Sequence, residues 1–357
     1  MPNLAADRLH ALVTRIVRAM GSSATEAQDV ADHLVAANLS GHDSHGVGML
    51  PDYVRLLHAG LLVPNQTLEL VADNGGVLVL DAKRGFGQAM AKEAMRLGIE
   101  RARQQGSVVV ALRNSAHIGR IGHWAEQCAA AGMVSVHFVN VADHAPLQAP
   151  FGCADARLGT NPFAAAVPDA DGKPQMLLDM ATSAIAFGKA RVARNKGVPV
   201  PVGVLIDEHG NPTTDPTTYV DTRRGALLAF GAHKGSGMAI LSEVLGAAVT
   251  GGTTIAPHHV RQDGILNSML SFIVDVGALG DRAHIAEETA AVGAWVKAAP
   301  RVPGCEEILL PGEPEARARE HRMADGVPID EKSLADILAA IATLGVSRAE
   351  LDRTLGR

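Results

Sequence analysis

Little in this chain is aromatic: Phe, Trp and Tyr make up 3% of its 357 residues, and cysteine occurs only three times. Cys128, Cys153 and Cys305 are odd in number, far apart and without CxxC spacing. That pattern argues against a disulfide framework or a zinc cluster and points to a reducing compartment. No basic block or aromatic-studded basic stripe stands out from the mixed charges behind the net charge of -6, so a nucleic-acid partner is not expected. No run approaches the ~20 apolar residues needed to cross a bilayer, so no membrane partner is expected either. Met1 to Met20 is broken up by Asp7, Arg8, His10, Arg15 and Arg18, which does not read as a signal peptide, and a cytoplasmic location is expected. What the chain has is aliphatic bulk: 47% hydrophobic content over this length can bury a sizeable core in two or three domains.

Apolar residues at helical spacing predict a helix from Leu4 to Met20, and Ser23 with Glu26 three residues later predicts a capping box at the start of a second helix ending near Leu39. A third helical segment runs through Tyr53 to Ala59. After Asn74-Gly75-Gly76 the pattern changes to β-branched runs alternating with alanine-rich helices. Strands are expected at Val77 to Asp81, Ser107 to Leu112, Val134 to Val139, Phe163 to Val167, Gln175 to Met180 and Gly203 to Asp207. Helices are expected at Gln88 to Gln105, His123 to Ala131 and Gly237 to Val249. Past Pro300 the chain reads as loop-rich, then as two helices, Leu334 to Leu344 and Arg348 to Leu355, the latter capped by Ser347. The expected organisation is a helical segment over 1–75 packed with 315–357, and an α/β cofactor- and substrate-binding domain over 76–314.

Two histidine turns stand out. His42-Asp43-Ser44-His45-Gly46 follows the second helix, and Asn114-Ser115-Ala116-His117-Ile118-Gly119-Arg120 follows a strand. Each sets a histidine among small residues at the end of a regular element, where it can reach a substrate. Arg120 leaves the same turn as His117, with a guanidinium suited to bidentate carboxylate binding; Arg120 and Arg55 are equally readable as solvated helix charges. Most of the fifteen histidines are expected to be surface or satisfied core residues. A metal held by His42, Asp43 and His45 lacks a second acidic ligand set, so no metal is expected.

Val77 to Asp81 followed by Gly85-Phe86-Gly87 superficially resembles a Rossmann opening. Met90 occupies the third small position, and the next strand ends in Arg113 where an acid would hold a ribose, so a glycine turn before a packed helix is the preferred reading. Phe230-Gly231-Ala232-His233-Lys234-Gly235-Ser236-Gly237 precedes a helix and suits an anion, with open backbone N–H groups and the Lys234 charge, or is an ordinary glycine turn. Leu178-Asp179-Met180-Ala181-Thr182-Ser183 ends a strand in an acid that either holds sugar hydroxyls or belongs to a capping cluster.

Taken in order, Asp43 to Val47, Asn114 to Gly119, Gly159 to Pro162, Leu178 to Ser183, Gly210 to Pro216, His233 to Gly235 and Leu310 to Glu313 resemble the malate/L-lactate dehydrogenase family, over nearly the whole chain. His42 to Arg55 and His117 to Trp124 are most similar to its hydroxycarboxylate dehydrogenase branch. The resemblance implies a non-Rossmann α/β fold with a mostly antiparallel central sheet, an NAD- or NADP-dependent homodimer, and conversion of a small 2-hydroxy acid to its 2-oxo acid. The alternatives are reduction of a cyclic-imine-2-carboxylate, or a dinucleotide-binding protein without catalysis. It places acid-base catalysis on His45 and His117, with Ser44 in the substrate site. Cofactor contacts fall on Gln175, Met176, Leu177, Leu178, Asp179, Met180 and Ala181, on Lys234 and Gly235, and on Gly312, Glu313 and Pro314. Many members have a carboxylate-binding arginine four residues after the first histidine, where this chain has Met49. Arg120, with Arg55 in reserve, is the expected replacement.

Overall fold

The computed structural model describes residues 3–346. From the N-terminus, β1 (Asn3–Leu4) leads into α1 (Ala6–Ala19), α2 (Ala24–Leu39) and α3 (Leu50–His58). The apolar spacing of α1 buries Leu9, Leu12, Val13, Ile16 and Val17 along one stripe. Ser23 caps α2 by accepting the Glu26 N–H at 3.2 Å, but the box is not closed, because the Glu26 carboxylate accepts the Asn65 N–H instead.

The next elements are β2 (Glu69–Asp73), β3 (Val77–Asp81), α4 (Gly87–Gln105), β4 (Ser107–Ser115), α5 (Gly122–Ala130), β5 (Met133–Ala142), β6 (Phe163–Pro168) and β7 (Pro174–Met180). A small lobe follows, with α6 (Phe187–Lys196), β8 (Leu205–Ile206), β9 (Pro212–Thr213), α7 (Thr217–Thr222) and β10 (Ala226–Leu227). The chain then returns through α8 (His233–Glu243), a π-helical turn (Val244–Ala248), β11 (Leu266–Asp275), α9 (Val276–Leu279) and α10 (Arg282–Lys297). It closes with α11 (Glu313–Asp325), β12 (Val327–Pro328) and α12 (Glu331–Ala342).

Seven strands form the main sheet in the order β2-β3-β4-β11-β5-β6-β7, and only the β3–β4 pair is parallel. Helix α4 makes that crossover. The mixed α/β, mostly antiparallel architecture matches the expectation. One core packs α4 and α5 onto the sheet through Met95, Val110, Trp124, Cys128, Met269 and Ile273. A second joins α1, α2 and α3 to α12 through Ile16, Leu34, Leu50, Ile337 and Ile341. Antiparallel β1 and β12 tie the two ends of the described chain together. His137, on β5, is buried in the first layer with its ring nitrogens 2.8 Å from Ser271 Oγ and 2.9 Å from Ser135 Oγ.

Several expectations need correction. The strand expected over Gly203–Asp207 shrinks to β8, and the helix expected from Gly237 starts at His233 and passes into the π-turn. The segment past Pro300 contains α11, which buries no residue and so shows no apolar stripe to read. Strand β11 was not anticipated at all, although it occupies the middle of the sheet. The expected helix Arg348–Leu355 lies outside the described residues.

Candidate active site

One end of the sheet gathers the functional turns. β4 stops at Ser115 opposite Asn267 of β11, and β11 starts at Leu266 opposite Ala142, the last residue of β5. The His117 turn therefore leaves the sheet beside the segments flanking β5 and β11. Its backbone is held from several sides. Ile118 N–H donates to Asn267 Oδ1 at 3.0 Å, Arg120 N–H to His33 Nε2 at 2.8 Å, and Trp124 Nε1–H to the Ile118 carbonyl at 3.1 Å. Two glycines make the close approaches possible. A Cβ on Gly87 would fall 2.3 Å from the His117 carbonyl oxygen, and one on Gly119, where φ is +75°, would fall 2.0 Å from His33 Nε2. The Gly85-Phe86-Gly87 turn is thus filled by the protein itself, as its structural reading required.

Asn38 shapes the other turn: its amide donates to Asp43 Oδ1 at 2.7 Å and its carbonyl accepts the Val47 N–H at 2.8 Å. Helix α11 grips the same turn, with Arg322 bidentate on Asp43 at 2.6 and 3.0 Å and Glu315 3.1 Å from His42 Nε2. The two turns bring His45 and His117 together, Nδ1 to Nε2 at 3.3 Å with the rings nearly parallel.

Behind the pair lies a chain of partners that the sequence did not reveal. Tyr53 Oη is 2.7 Å from His117 Nδ1, and Gln88 Nε2 donates to Tyr53 Oη at 2.7 Å. Tyr53 Oη accepts from Gln88 and has its O–H free to donate to His117 Nδ1; with the O–H so directed, the ring proton of His117 sits on Nε2, facing His45 Nδ1. Burial, followed by the neighbouring His45, lowers His117 to about 3. Burial, followed by His42 and Arg120, lowers His45 to about 4. Both rings are neutral at pH 7 and able to accept a proton.

Arg120 does not offer the expected fork. It is 1% exposed, with Nη2 2.5 Å from Glu126 and Nη1 3.6 Å from Asp179. Burial raises the proton affinity of Glu126, but Arg120 and Arg319 outweigh it and hold the carboxyl below its ordinary value. These two carboxylates balance its charge, while its three side-chain nitrogens have no hydrogen-bond partner among the described residues. Arg55 is also occupied: half-exposed on α3, it donates to the Asp263 carbonyl at 2.9 Å. Ser44 is exposed beside the start of α6, where a Cβ on Gly188 would be 3.3 Å from its Cβ.

Two of the three cofactor segments meet. Leu177 N–H donates to the Pro311 carbonyl at 3.1 Å, and Gly312, at φ +96°, lies against Leu177. Gln175 reaches the Ala286 carbonyl, while Glu313 accepts from Leu310 N–H and pairs with Lys297, so these side chains brace the corner. Pro314 occupies the first turn of α11. Asp179 points inward, its Oδ2 2.5 Å from where a Gly122 Cβ would be, and its pKa is raised by burial against the pull of Arg120. Met176, Leu178 and Met180 take the opposite, more open face of the strand. β7 continues through Ala181 to Thr182, whose carbonyl accepts the Phe230 N–H at 3.1 Å just before α8.

There Lys234 is exposed and pairs with no carboxylate among the described residues. A Cβ on Gly235 would fall 1.9 Å from the Phe230 carbonyl oxygen, so only glycine permits this entry into the helix. Beside it opens a cavity of about 460 Å³ lined by Phe151, Cys153, Ala184, Ala229, Gly231 and Ala232. A free ammonium and the N–H groups of a first helical turn, next to a cavity, suit an anionic group such as a dinucleotide phosphate. Among the described residues no group of three His, Cys, Asp or Glu side chains could hold a metal.

These features fall within a recognised framework. A family model for malate/L-lactate dehydrogenase matches residues 4–338. The chain belongs to the malate/L-lactate dehydrogenase family. It is 48% identical over 348 residues to hydroxycarboxylate dehydrogenase B of Escherichia coli O157:H7, covering 97% of this chain and 95% of that protein. It is 41% identical over 309 residues to an L-lactate dehydrogenase of Cupriavidus necator, covering 86% and 88%. A solved E. coli structure assigned as a malate/lactate dehydrogenase superposes with a TM-score of 0.95 at 47% identity, covering 100% of this chain and 99% of that one. The non-Rossmann sheet is therefore the family's architecture.

Proposed function

We propose that the chain catalyses reversible hydride transfer between C2 of a small 2-hydroxy acid and a nicotinamide dinucleotide, NAD or NADP, with the His45–His117 pair moving the proton. The carrying observation is the Gln88–Tyr53–His117–His45 chain, which presents two neutral imidazoles at a sheet end where the family motifs converge. In oxidation the substrate hydroxyl gives its proton to the pair, which requires the 3.3 Å His45–His117 contact to open so that a ring nitrogen is free to accept it. In reduction the pair returns that proton to the 2-oxo oxygen. The proton belongs to the coupled pair rather than to one ring. When bound, the dinucleotide would supply or take the hydride; Lys234 and the first turn of α8 would hold its phosphates, and Met176, Leu178 and Met180 would contact it from the outer face of β7.

The reading includes a homodimer. It is supported by an apolar row on α8 and the turns after it, where Ile240, Leu241, Val244 and Val249 are 44–60% exposed. Three free cysteines support a cytoplasmic location, and among the described residues no helix is long and apolar enough to cross a membrane. The test of function is a panel of 2-oxo acids and cyclic-imine carboxylates assayed with NADH and NADPH by loss of nicotinamide absorbance. Turnover of 2-oxo acids is expected. Turnover of cyclic imines alone would shift the activity to imine reduction, and none at all would overturn it.

A further inference from the structure

Glu243, the last residue of α8, is a buried carboxylate bonded on both oxygens by segments at the sheet end that carries the histidine turns. Its Oε1 accepts the Ile255 N–H at 2.7 Å and the Asn140 Nδ2–H at 3.3 Å, and its Oε2 accepts the Asn161 Nδ2–H at 2.8 Å. Donors on both oxygens suit the ionised form. An apolar side chain would fill this buried position at lower cost, so what the carboxylate holds together decides why it is there.

Both amides lead away from the helix. Asn161 Oδ1 accepts the Val141 N–H at 3.1 Å, next to Asn140 on β5. Asn140 also donates from Nδ2 to the Thr253 carbonyl at 2.9 Å, accepts the Ser268 N–H on Oδ1 at 3.0 Å, and accepts Asn267 Nδ2–H on its carbonyl at 2.9 Å. Asn267 Oδ1 in turn accepts the N–H of Ile118, the neighbour of His117. Asn140, Asn161 and Asn267 are all buried, so an unbroken set of internal bonds runs from the end of α8 to the backbone of the His117 turn. The π-helical turn after Glu243 seats the helix on the same strand. A Cβ on Gly246 would fall 2.7 Å from the Asn140 backbone nitrogen, so α8 has no slack against β5 at this point.

We propose that Glu243, acting through Asn140 and Asn267, is a positioning residue that couples occupancy of the α8 entry to the placement of His117. The inference rests on the reading of Lys234 and the first turn of α8 as the dinucleotide's phosphate site. A helix of 11 residues moves as one body, so a displacement of its first turn reaches Glu243 and the bonds beyond it. The His45–His117 contact at 3.3 Å must open before a ring nitrogen takes the substrate's proton, and movement of the His117 turn on cofactor binding opens it.

The test uses ADP-ribose, which carries the dinucleotide's phosphates without the nicotinamide ring, so that a response of His117 reaches it through the protein. Calorimetry reads binding, and NMR reads the His117 ring signal, identified by its loss in His117→Gln. ADP-ribose is expected to displace that signal in the native chain. Glu243→Met keeps the side-chain volume and removes both acceptors, whereas Asn267→Ala cuts the far end and leaves the bonds of α8 intact. Each is expected to bind ADP-ribose, to lose most of the displacement and to lower kcat about tenfold or more. Should Glu243→Met fail to fold, Asn267→Ala decides alone. Displacement retained in a folded variant, even with a lower Tm, assigns the bonds to packing and overturns the coupling, as does native binding without displacement. Failure of the native chain to bind ADP-ribose overturns both the coupling and the α8 phosphate site. A coupled displacement in a chain that reduces no 2-oxo acid would preserve the coupling and overturn the dehydrogenase reading.

Discussion

Tyr53 fixes His117 through a single 2.7 Å contact to Nδ1, and so decides which nitrogen of that ring faces His45. Tyr53→Phe deletes the donor and frees the tautomer while retaining the ring that packs on Phe86. The expected result is a fall in kcat of about tenfold or more with KM for the dinucleotide little changed, since the loss acts on proton transfer. Steady-state kinetics with the best substrate check it. An unaltered kcat would show that the phenol does not set the ring.

Replacing either histidine with alanine should lower kcat by about 10²- to 10⁴-fold and leave dinucleotide affinity nearly intact. The larger loss identifies the ring on which proton transfer depends more. In the native protein oxidation should be level above about pH 5 and fall as pH drops through 4 toward 3, because His45 and His117 must be neutral to accept a proton. A limb centred near 6.5 would mean that burial does not depress the pair.

Lys234→Ala should raise the dinucleotide Kd, more at low salt than at high salt, since an exposed charge contact is screened by ions. Fluorescence titration at two ionic strengths is sufficient. Equal affinity for native and variant would remove the α8 entry from the cofactor site.

Gly87→Ala places a methyl group 2.3 Å from the His117 carbonyl oxygen. Backbone must move, so both Tm and kcat should fall, the latter because the His45 contact is already long at 3.3 Å. Normal turnover in a well-folded variant would show that the turn tolerates displacement.

His137 is lowered to about 3 by burial, so in the folded state it binds a proton far less readily than in the unfolded chain, whose value is ~6.5. Its contribution to stability is therefore complete above ~6.5 and is lost as pH falls from there toward 3. His137→Gln keeps hydrogen-bonding capacity toward Ser135 and Ser271 and should flatten the decline of Tm between pH 6.5 and 4, even if Tm at pH 7 is lower. Parallel Tm profiles would rule His137 out as an acid-sensitive site.

Local patterns made β3, β4, β5 and the two histidine turns legible, because β-branched runs and small flanking residues carry their own signal. Strand β11 lacked that signal. Its Asn267, Ser268 and Ser271 look solvent-facing, yet all are buried, and their partners Ile118, Asn140 and His137 lie over 120 residues away. Helix α11 was hidden for the opposite reason: it is held by ion pairs from Glu315, Arg319 and Arg322 rather than by an apolar face. Tyr53 read only as part of an apolar helix, since its bond to His117 spans 64 residues. Arg120 carried the right chemistry for a clamp, and only packing shows that it is buried beside Glu126 and Asp179.

The late arrival of β11 at the centre of the sheet constrains how the chain can assemble. The β3–α4–β4 unit and the β5–β6–β7 meander form from neighbouring segments, but each presents one open strand edge until Leu266–Asp275 slots between them. During synthesis those edges wait for more than 120 residues to emerge, a topology that slows folding and leaves strands available to other molecules. A ribosome-bound chain ending before residue 266 should bind chaperones and aggregate on release, and one extended past 275 should become protease-resistant. The strand that links the two halves of the catalytic edge would then also set the moment at which the nascent protein becomes safe to release.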